Sequence, residues 1–292
     1  MRIADRYTQD TQIKMKFIDR PELEALLAKP YPEGQGPILI DVASADTEET
    51  LSGAHRVDFD RIVLNRDNIA GLLPDIEDLN EALAHTGISP DRPIVLFDAQ
   101  NGLAASRLAW TLVLGGFEKI YLLNGGRAAL TSMEGRLPVP PEKPAKSLRY
   151  DLSRHHTQAE DIAAARDQWL IVDARSTDEF VGKDRRSKHA GHIPGALHFD
   201  WSWCFDPAKP GYLLPDAELL AKLAEHGISP SQSDRPIAVY CQSHRRSSLL
   251  FCVLKHLGFN DVRGYPGAWS DWGNRDDVPI SCPQNPAADQ PK

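Results

Sequence analysis

Gly87-Ile88-Ser89-Pro90-Asp91-Arg92-Pro93-Ile94-Val95-Leu96-Phe97 returns later in the chain as Gly227-Ile228-Ser229-Pro230, then Asp234-Arg235-Pro236-Ile237-Ala238-Val239-Tyr240. Around this stretch the pairing continues. Leu72-Leu73-Pro74-Asp75 recurs as Leu213-Leu214-Pro215-Asp216, and Gly116-Phe117 as Gly258-Phe259. The spacing between partners stays between 141 and 143 through most of these pairs. One tetrapeptide could coincide, but an ordered series at nearly constant offset marks a duplicated domain.

Within each half, short apolar runs alternate with segments of helical period. Leu170-Ile171-Val172-Asp173 and Ile237-Ala238-Val239-Tyr240 are rich in β-formers and predict strands. Asp216 to His226 carries Leu219, Leu220 and Leu223 at helical spacing and stops at Gly227, and Ser247 to His256 predicts a helix ended by Gly258. Alternating β and α elements predict an α/β fold of two tandem domains, each a mostly parallel sheet with helices on both faces. Residues 20–137 form the first unit and 151–280 the second. The joint, 138–150, holds four prolines within Pro138 to Pro144, which exclude helix and central strand and predict a semi-rigid tether.

Length and composition agree. A chain of 292 residues, 41% apolar and 25% charged, suits two globular domains. A net charge of -8 argues against nucleic acid or an anionic membrane as partner, while leaving room for a local basic pocket. No apolar run approaches a membrane span, the charged N-terminus does not read as a signal peptide, and four cysteines are too few for a disulfide scaffold. The expectation is a cytoplasmic monomer.

In a parallel sheet ligands sit beyond the carboxyl ends of the strands. The loop after Tyr240 reads Cys241-Gln242-Ser243-His244-Arg245-Arg246-Ser247-Ser248, a thiol, an imidazole and two guanidiniums between a strand end and a helix start. Helix-start N–H groups favour an anion there, and nearby arginines lower a thiol's pKa, so Cys241 is the expected nucleophile in an anion cradle. Cys252, in Leu249-Leu250-Phe251-Cys252-Val253-Leu254, and Cys204, between Trp203 and Phe205, are expected to pack in the core. Cys282, in a Pro-rich tail, is expected to be exposed. The first half has Asp98 at the position of Cys241, and a carboxylate there can neither attack sulfur nor tolerate an anion. One active site per chain follows.

These residues carry a resemblance. Asp173-Ala174-Arg175 before Phe180, Gly191-His192-Ile193-Pro194-Gly195-Ala196, and Gly264-Tyr265-Pro266-Gly267-Ala268-Trp269 are similar, in order, to segments of the two-domain rhodaneses, the thiosulfate and 3-mercaptopyruvate sulfurtransferases. The likeness runs from about Pro21 to Gly273. It implies an inactive first domain and a catalytic second one, with sulfur carried as a Cys241 persulfide from thiosulfate to cyanide or a thiol and no metal or cofactor. The substrate-binding set it implies is Gln242, Ser243, His244, Arg245, Arg246 and Ser247, with Arg175 either contacting substrate or pairing with Asp173. Mercaptopyruvate enzymes typically have C-G-S-G-[VT]-T and an Arg where this chain has Glu179. That carboxylate is expected to repel a substrate carboxylate, which favours thiosulfate. A mercaptopyruvate enzyme and a persulfide carrier serving a partner protein remain the alternatives. A phosphatase loop would need C-x5-R, and here Arg246 follows after four residues. His192 is expected to order a turn, Lys183 to His189 to form a solvated loop, Trp201 and Trp203 to pack, and His155-His156 not to bind metal.

Overall fold

Four segments are buried at every position, Ile38–Ala43, Ile94–Phe97, Leu170–Asp173 and Ile237–Tyr240. Continuous burial is what central parallel strands covered on both faces require. The computed structural model describes residues 14–43, 51–133, 137, 144–230 and 235–283.

The first unit runs β1 (Lys14–Ile18), α1 (Arg20–Leu27), β2 (Ile38–Ala43), β3 (His55–Asp58), β4 (Leu64–Arg66), β5 (Ile69–Leu72), α2 (Ile76–Leu83), β6 (Ile94–Phe97), α3 (Leu103–Leu114) and β7 (Lys119–Leu123). The second runs α4 (Ala159–Ala165), β8 (Leu170–Asp173), α5 (Thr177–Phe180), β9 (Leu197–His198), α6 (Asp216–Glu225), β10 (Ile237–Tyr240), α7 (Arg246–His256), β11 (Val262–Gly264) and α8 (Ala268–Trp272). The sheets are ordered β1-β7-β6-β2-β3 and β11-β10-β8-β9, with every pairing parallel. A parallel bridge from His156 to Gly264 takes the place of β1 in the second sheet. The repeat in the sequence is thus a repeat in topology.

Two boundaries differ from expectation. β1 pairs along its whole length with β7, so the first unit begins by Lys14 and not at residue 20. As an edge strand with Lys14 and Lys16 turned outward it lacks the apolar run that marks a central strand. The second half of the expected tether is a strap. Ala145, Lys146 and Asp151 donate their backbone N–H groups to the carbonyls of Ala84, Ile88 and Leu114, and Leu148 is buried. Residues 138–143 of the joint lie outside the described residues.

α3 and α7 pack against each other between the two sheets. α3 is buried from Ala104 to Leu114 and α7 from Ser247 to Leu254, so one apolar core spans both units. Cys252 belongs to it, its Sγ 3.7 Å from the Ser106 carbonyl, and Cys204 is likewise fully buried. Trp201 and Trp203 pack on its margin. Cys282 departs from expectation. It is 5% exposed, because Ser281 bridges to His192 and the tail closes over Gly182 and Gly191. No helix among the described residues is long and apolar enough to cross a membrane.

Candidate active site

β10 delivers Cys241 to the junction of β10, α7 and α8, where it is 1% exposed. Its carbonyl and that of Gln242 accept the N–H groups of Trp269 and Ser270, which pins the loop to the start of α8. His244 adopts φ 54°, the left-handed turn that lets the chain enter α7. Burial alone would raise the thiol's pKa. Arg246, the Ser247 hydroxyl and N–H, and the Ser243 N–H act against it, and together they bring Cys241 below its ordinary value. A buried sulfur beside a guanidinium, a hydroxyl and backbone N–H groups sits where negative charge is stabilised.

The other expected residues divide into those the fold gathers here and those it sends elsewhere. The Ser247 hydroxyl lies between the thiol and His244, whose Nδ1 is 2.8 Å from it. The His244 ring is buried edge-on against Trp110, 4.4 Å between centroids. Burial, then Arg107 and His156, hold this imidazole well below its usual range, so it is neutral and polar rather than cationic. Gln242 donates to Ser187 Oγ at 3.3 Å, which brings the loop of residues 183–189 to the edge of the site. The fold thus gathers Gln242, Ser243, His244, Arg246 and Ser247 around Cys241.

Arg246 does not present a free guanidinium. Its Nη1 and Nη2 donate to Glu179 at 2.6 and 2.9 Å, a bidentate pair in which the carboxylate is 1% exposed. Glu179 also accepts from the Ser176 N–H and hydroxyl in the capping box of α5. Burial opposes its ionisation, but Arg246 and Ser176 outweigh burial and hold the carboxyl down to about 2. The expected repulsion of substrate by Glu179 is therefore corrected: its charge is taken up by Arg246.

Arg245 and Arg175 leave the site. Arg245 turns to the first unit, donating to Gln100 Oε1 and covering the Phe59 ring. Arg175 is fully buried, paired with Asp173 at 2.6 Å, donating to the Gly191 carbonyl at 2.7 Å and lying over Trp269. It ties the strand end to the Gly191 turn, so the pairing alternative describes it and substrate contact does not. His192 sits in that turn with Nδ1 2.8 Å from the Phe180 carbonyl, an ordering role as expected.

The first unit contributes residues to which no motif points. Gly71, at φ 79°, lies so close that a Cβ there would stand 2.0 Å from the Ser243 carbonyl oxygen. Ala70 exchanges hydrogen bonds with the Ser270 hydroxyl. The β4–β5 hairpin thus walls the loop. The local hint in the sequence is a glycine, Gly71, directly before the repeated Leu-Leu-Pro-Asp. In the equivalent loop of the first unit, Asp98 accepts the N–H groups of Gln100, Gly102 and Ala105 at 2.7–2.8 Å. The carboxylate fills the cradle of its own loop, leaving no place for an anion. Among the described residues no group of three metal-binding side chains occurs.

The model of the rhodanese-like domain matches twice, over residues 21–132 and 157–275. The chain is similar to the thiosulfate sulfurtransferase of Azotobacter vinelandii, 33% identical over 278 residues that cover 90% of this chain and 96% of that one. It is 29% identical to the 3-mercaptopyruvate sulfurtransferase of Escherichia coli K12, over 91% and 94% of the two chains. Sulfur carrier protein TtuD of Thermus thermophilus is 32% identical over 82% and 88%. Among solved structures, the Tum1 protein of Saccharomyces cerevisiae superposes with a TM-score of 0.75 at 18% identity, covering 92% of this chain and 98% of that one, a likeness of fold. Two matching domains, a duplicated parallel sheet and a cysteine at the end of β10 converge, and the chain belongs to the rhodanese family of sulfurtransferases.

Proposed function

We propose that the chain is a thiosulfate sulfurtransferase with Cys241 as its nucleophile. The Cys241 thiolate attacks the outer sulfur of thiosulfate. A sulfur–sulfur bond forms, and the bond to the sulfonate sulfur breaks with its electron pair, releasing sulfite. Cyanide or a thiolate then attacks the outer sulfur of the persulfide and returns Cys241 to thiolate. The N–H groups of Ser243 and Ser247, the Ser247 hydroxyl and the Arg246–Glu179 pair hold the negative sulfur, while Gln242 and the neutral His244 shape the cradle. The reading calls for no metal or organic cofactor, and for a cytoplasmic monomer with one site per chain.

The observation that carries it is the placement of a fully buried Cys241 beside Arg246, the Ser247 hydroxyl and N–H and the Ser243 N–H. Thiosulfate, rather than mercaptopyruvate, is supported by an amide cradle suited to a compact oxyanion and by the similarity to the Azotobacter enzyme. Glu179 no longer contributes to that choice. Steady-state kinetics with thiosulfate and 3-mercaptopyruvate side by side, with cyanide as acceptor, test the reading. The expected result is a higher kcat/KM for thiosulfate, no turnover of aryl phosphates, and complete loss in Cys241→Ser. A preference for mercaptopyruvate would overturn the substrate. The likeness to a sulfur carrier protein favours a second reading, in which the persulfide is passed to a partner protein. It predicts a stoichiometric persulfide that survives gel filtration, with negligible turnover to small thiols.

A further inference from the structure

Ser270, in α8, is 4% exposed and bonds to both units. Its N–H donates to the Gln242 carbonyl at 2.9 Å. Its hydroxyl accepts the Ala70 N–H at 2.9 Å and lies 3.1 Å from the Ala70 carbonyl and 2.8 Å from that of Gly267. Ala70 belongs to β5 of the first unit, 200 residues away along the chain. The next residue, Gly71, donates its N–H to Asn65 Oδ1 at 3.0 Å and turns its bare Cα to the Ser243 carbonyl. One serine therefore joins the loop after β10 to the β4–β5 hairpin.

The consequence is directional. Among the described residues no peptide is cis, and in a trans peptide the C=O and the N–H point opposite ways. The Cys241, Gln242 and Ser243 carbonyls face outward, to the Trp269 N–H, the Ser270 N–H and the Gly71 Cα. The N–H groups of Gln242, Ser243 and His244 are thereby turned the other way, and that of Ser243 bonds to Cys241. Backbone amides stabilise an anion only as well as they are aimed. Here the aim is set from behind, by α8 and β5.

The first unit lacks this clasp. Arg127 donates its N–H to the Asp98 carbonyl at 2.8 Å, as Trp269 does to the Cys241 carbonyl at 2.9 Å. The residue after Arg127 is Ala128, where the second unit has Ser270, and it has no hydroxyl to offer a neighbouring hairpin. The hydroxyl goes with the loop that carries the cysteine.

We propose that Ser270 is a positioning residue for sulfur transfer: holding Ala70 with its hydroxyl and Gln242 with its N–H, it keeps β5 against the loop and aims the loop's N–H groups at the sulfur carried by Cys241. The inference rests on Cys241 being the nucleophile, as proposed above.

The test compares wild type, Ser270→Ala and Asn124→Ala in the full chain. Steady-state kinetics with thiosulfate and cyanide are measured beside site-resolved alkylation of Cys241 by iodoacetamide against pH. Asn124 Oδ1 accepts the Leu213 N–H at 2.9 Å, a bond between the units on the side of the Asp98 loop, so its loss loosens the interface away from Cys241. Ser270→Ala is expected to lower kcat about tenfold with KM within about twofold of wild type, because amide aim matters most once negative charge builds on sulfur. The alkylation midpoint is expected to move upward as the Ser243 N–H turns from the thiolate. Asn124→Ala is expected to keep both. A Ser270→Ala protein that is folded by near-UV circular dichroism and has the wild-type kcat or the wild-type midpoint overturns the inference. An equal loss of kcat in Asn124→Ala overturns it too, since loosening of the units would then be the cause. Should Ser270→Ala not fold, Ser270→Cys, close in volume but a weak hydrogen-bonding group, is read by the same outcomes. A Cys241→Ser protein that keeps turnover would instead sink the reading of Cys241 as the nucleophile.

Discussion

Removing the Arg246 guanidinium should cost the fold more than it costs substrate binding. In Arg246→Ala the Glu179 carboxylate, 1% exposed, loses both of its short bonds at 2.6 and 2.9 Å and keeps Ser176 and a longer contact to Arg186 at 3.6 Å. The gap between about 2 and the ordinary 4.5 of that carboxyl corresponds to about 3 kcal/mol of stability, in line with the 3–5 kcal/mol typical of breaking a buried pair. Because the folded value is depressed, this stability is complete above the unfolded pKa of 4.5 and is lost as pH falls toward about 2. Urea unfolding at neutral pH should therefore show Arg246→Ala destabilised by about 3 kcal/mol, with the double variant Arg246→Ala, Glu179→Gln recovering more than half, since no buried charge is then left alone. Cys241 alkylation measured in parallel should move to higher pH in Arg246→Ala, because the largest influence lowering the thiol's pKa has gone. If Arg246→Ala loses less than about 1 kcal/mol, or the double variant is no more stable than the single one, the pair is not what holds α5 to the catalytic loop.

Gly71→Ala introduces a Cβ 2.0 Å from the Ser243 carbonyl oxygen at φ 79°, so the hairpin must lift from the loop. An intact far-UV spectrum with about a hundredfold lower kcat/KM is expected, since a displacement on the order of an ångström is enough, and a near-wild-type rate would show that the hairpin wall is dispensable. His155 is buried, with Nδ1 3.0 Å from the Val262 carbonyl, and burial and Lys255 hold it down to about 4. The unfolded chain binds that proton below pH 6.5 while the folded one refuses it until about 4. Stability should thus rise with pH across that window, by about 3 kcal/mol at most. His155→Asn, which tolerates the left-handed backbone at this position, should show a shallower slope, and an unchanged slope in urea unfolding would assign the proton uptake to other histidines.

Much of this protein was decided within short stretches of chain. Apolar runs, turn residues and the recurrence of Gly-Ile-Ser-Pro fixed two parallel sheets, because strand burial and helix periodicity are written in neighbouring residues. The loop after β10 was legible for the same reason, since Cys241, the turn at His244 and the start of α7 lie within a few positions of one another. Asp98 in the first unit was equally local, and its own loop amides close on it. What three-dimensional packing alone decided was where the charges go. A guanidinium reaches several ångströms and takes whichever acceptor the fold brings near. Arg246 found Glu179 67 residues away, and Arg245 found Gln100 145 residues away. Gly71 stands beside the loop because β5 packs against α8, and Cys282 is buried because the tail returns to Gly191. None of these meetings leaves a trace in the spacing of residues, because the free energy that selects them comes from contacts formed only once the tertiary structure has assembled.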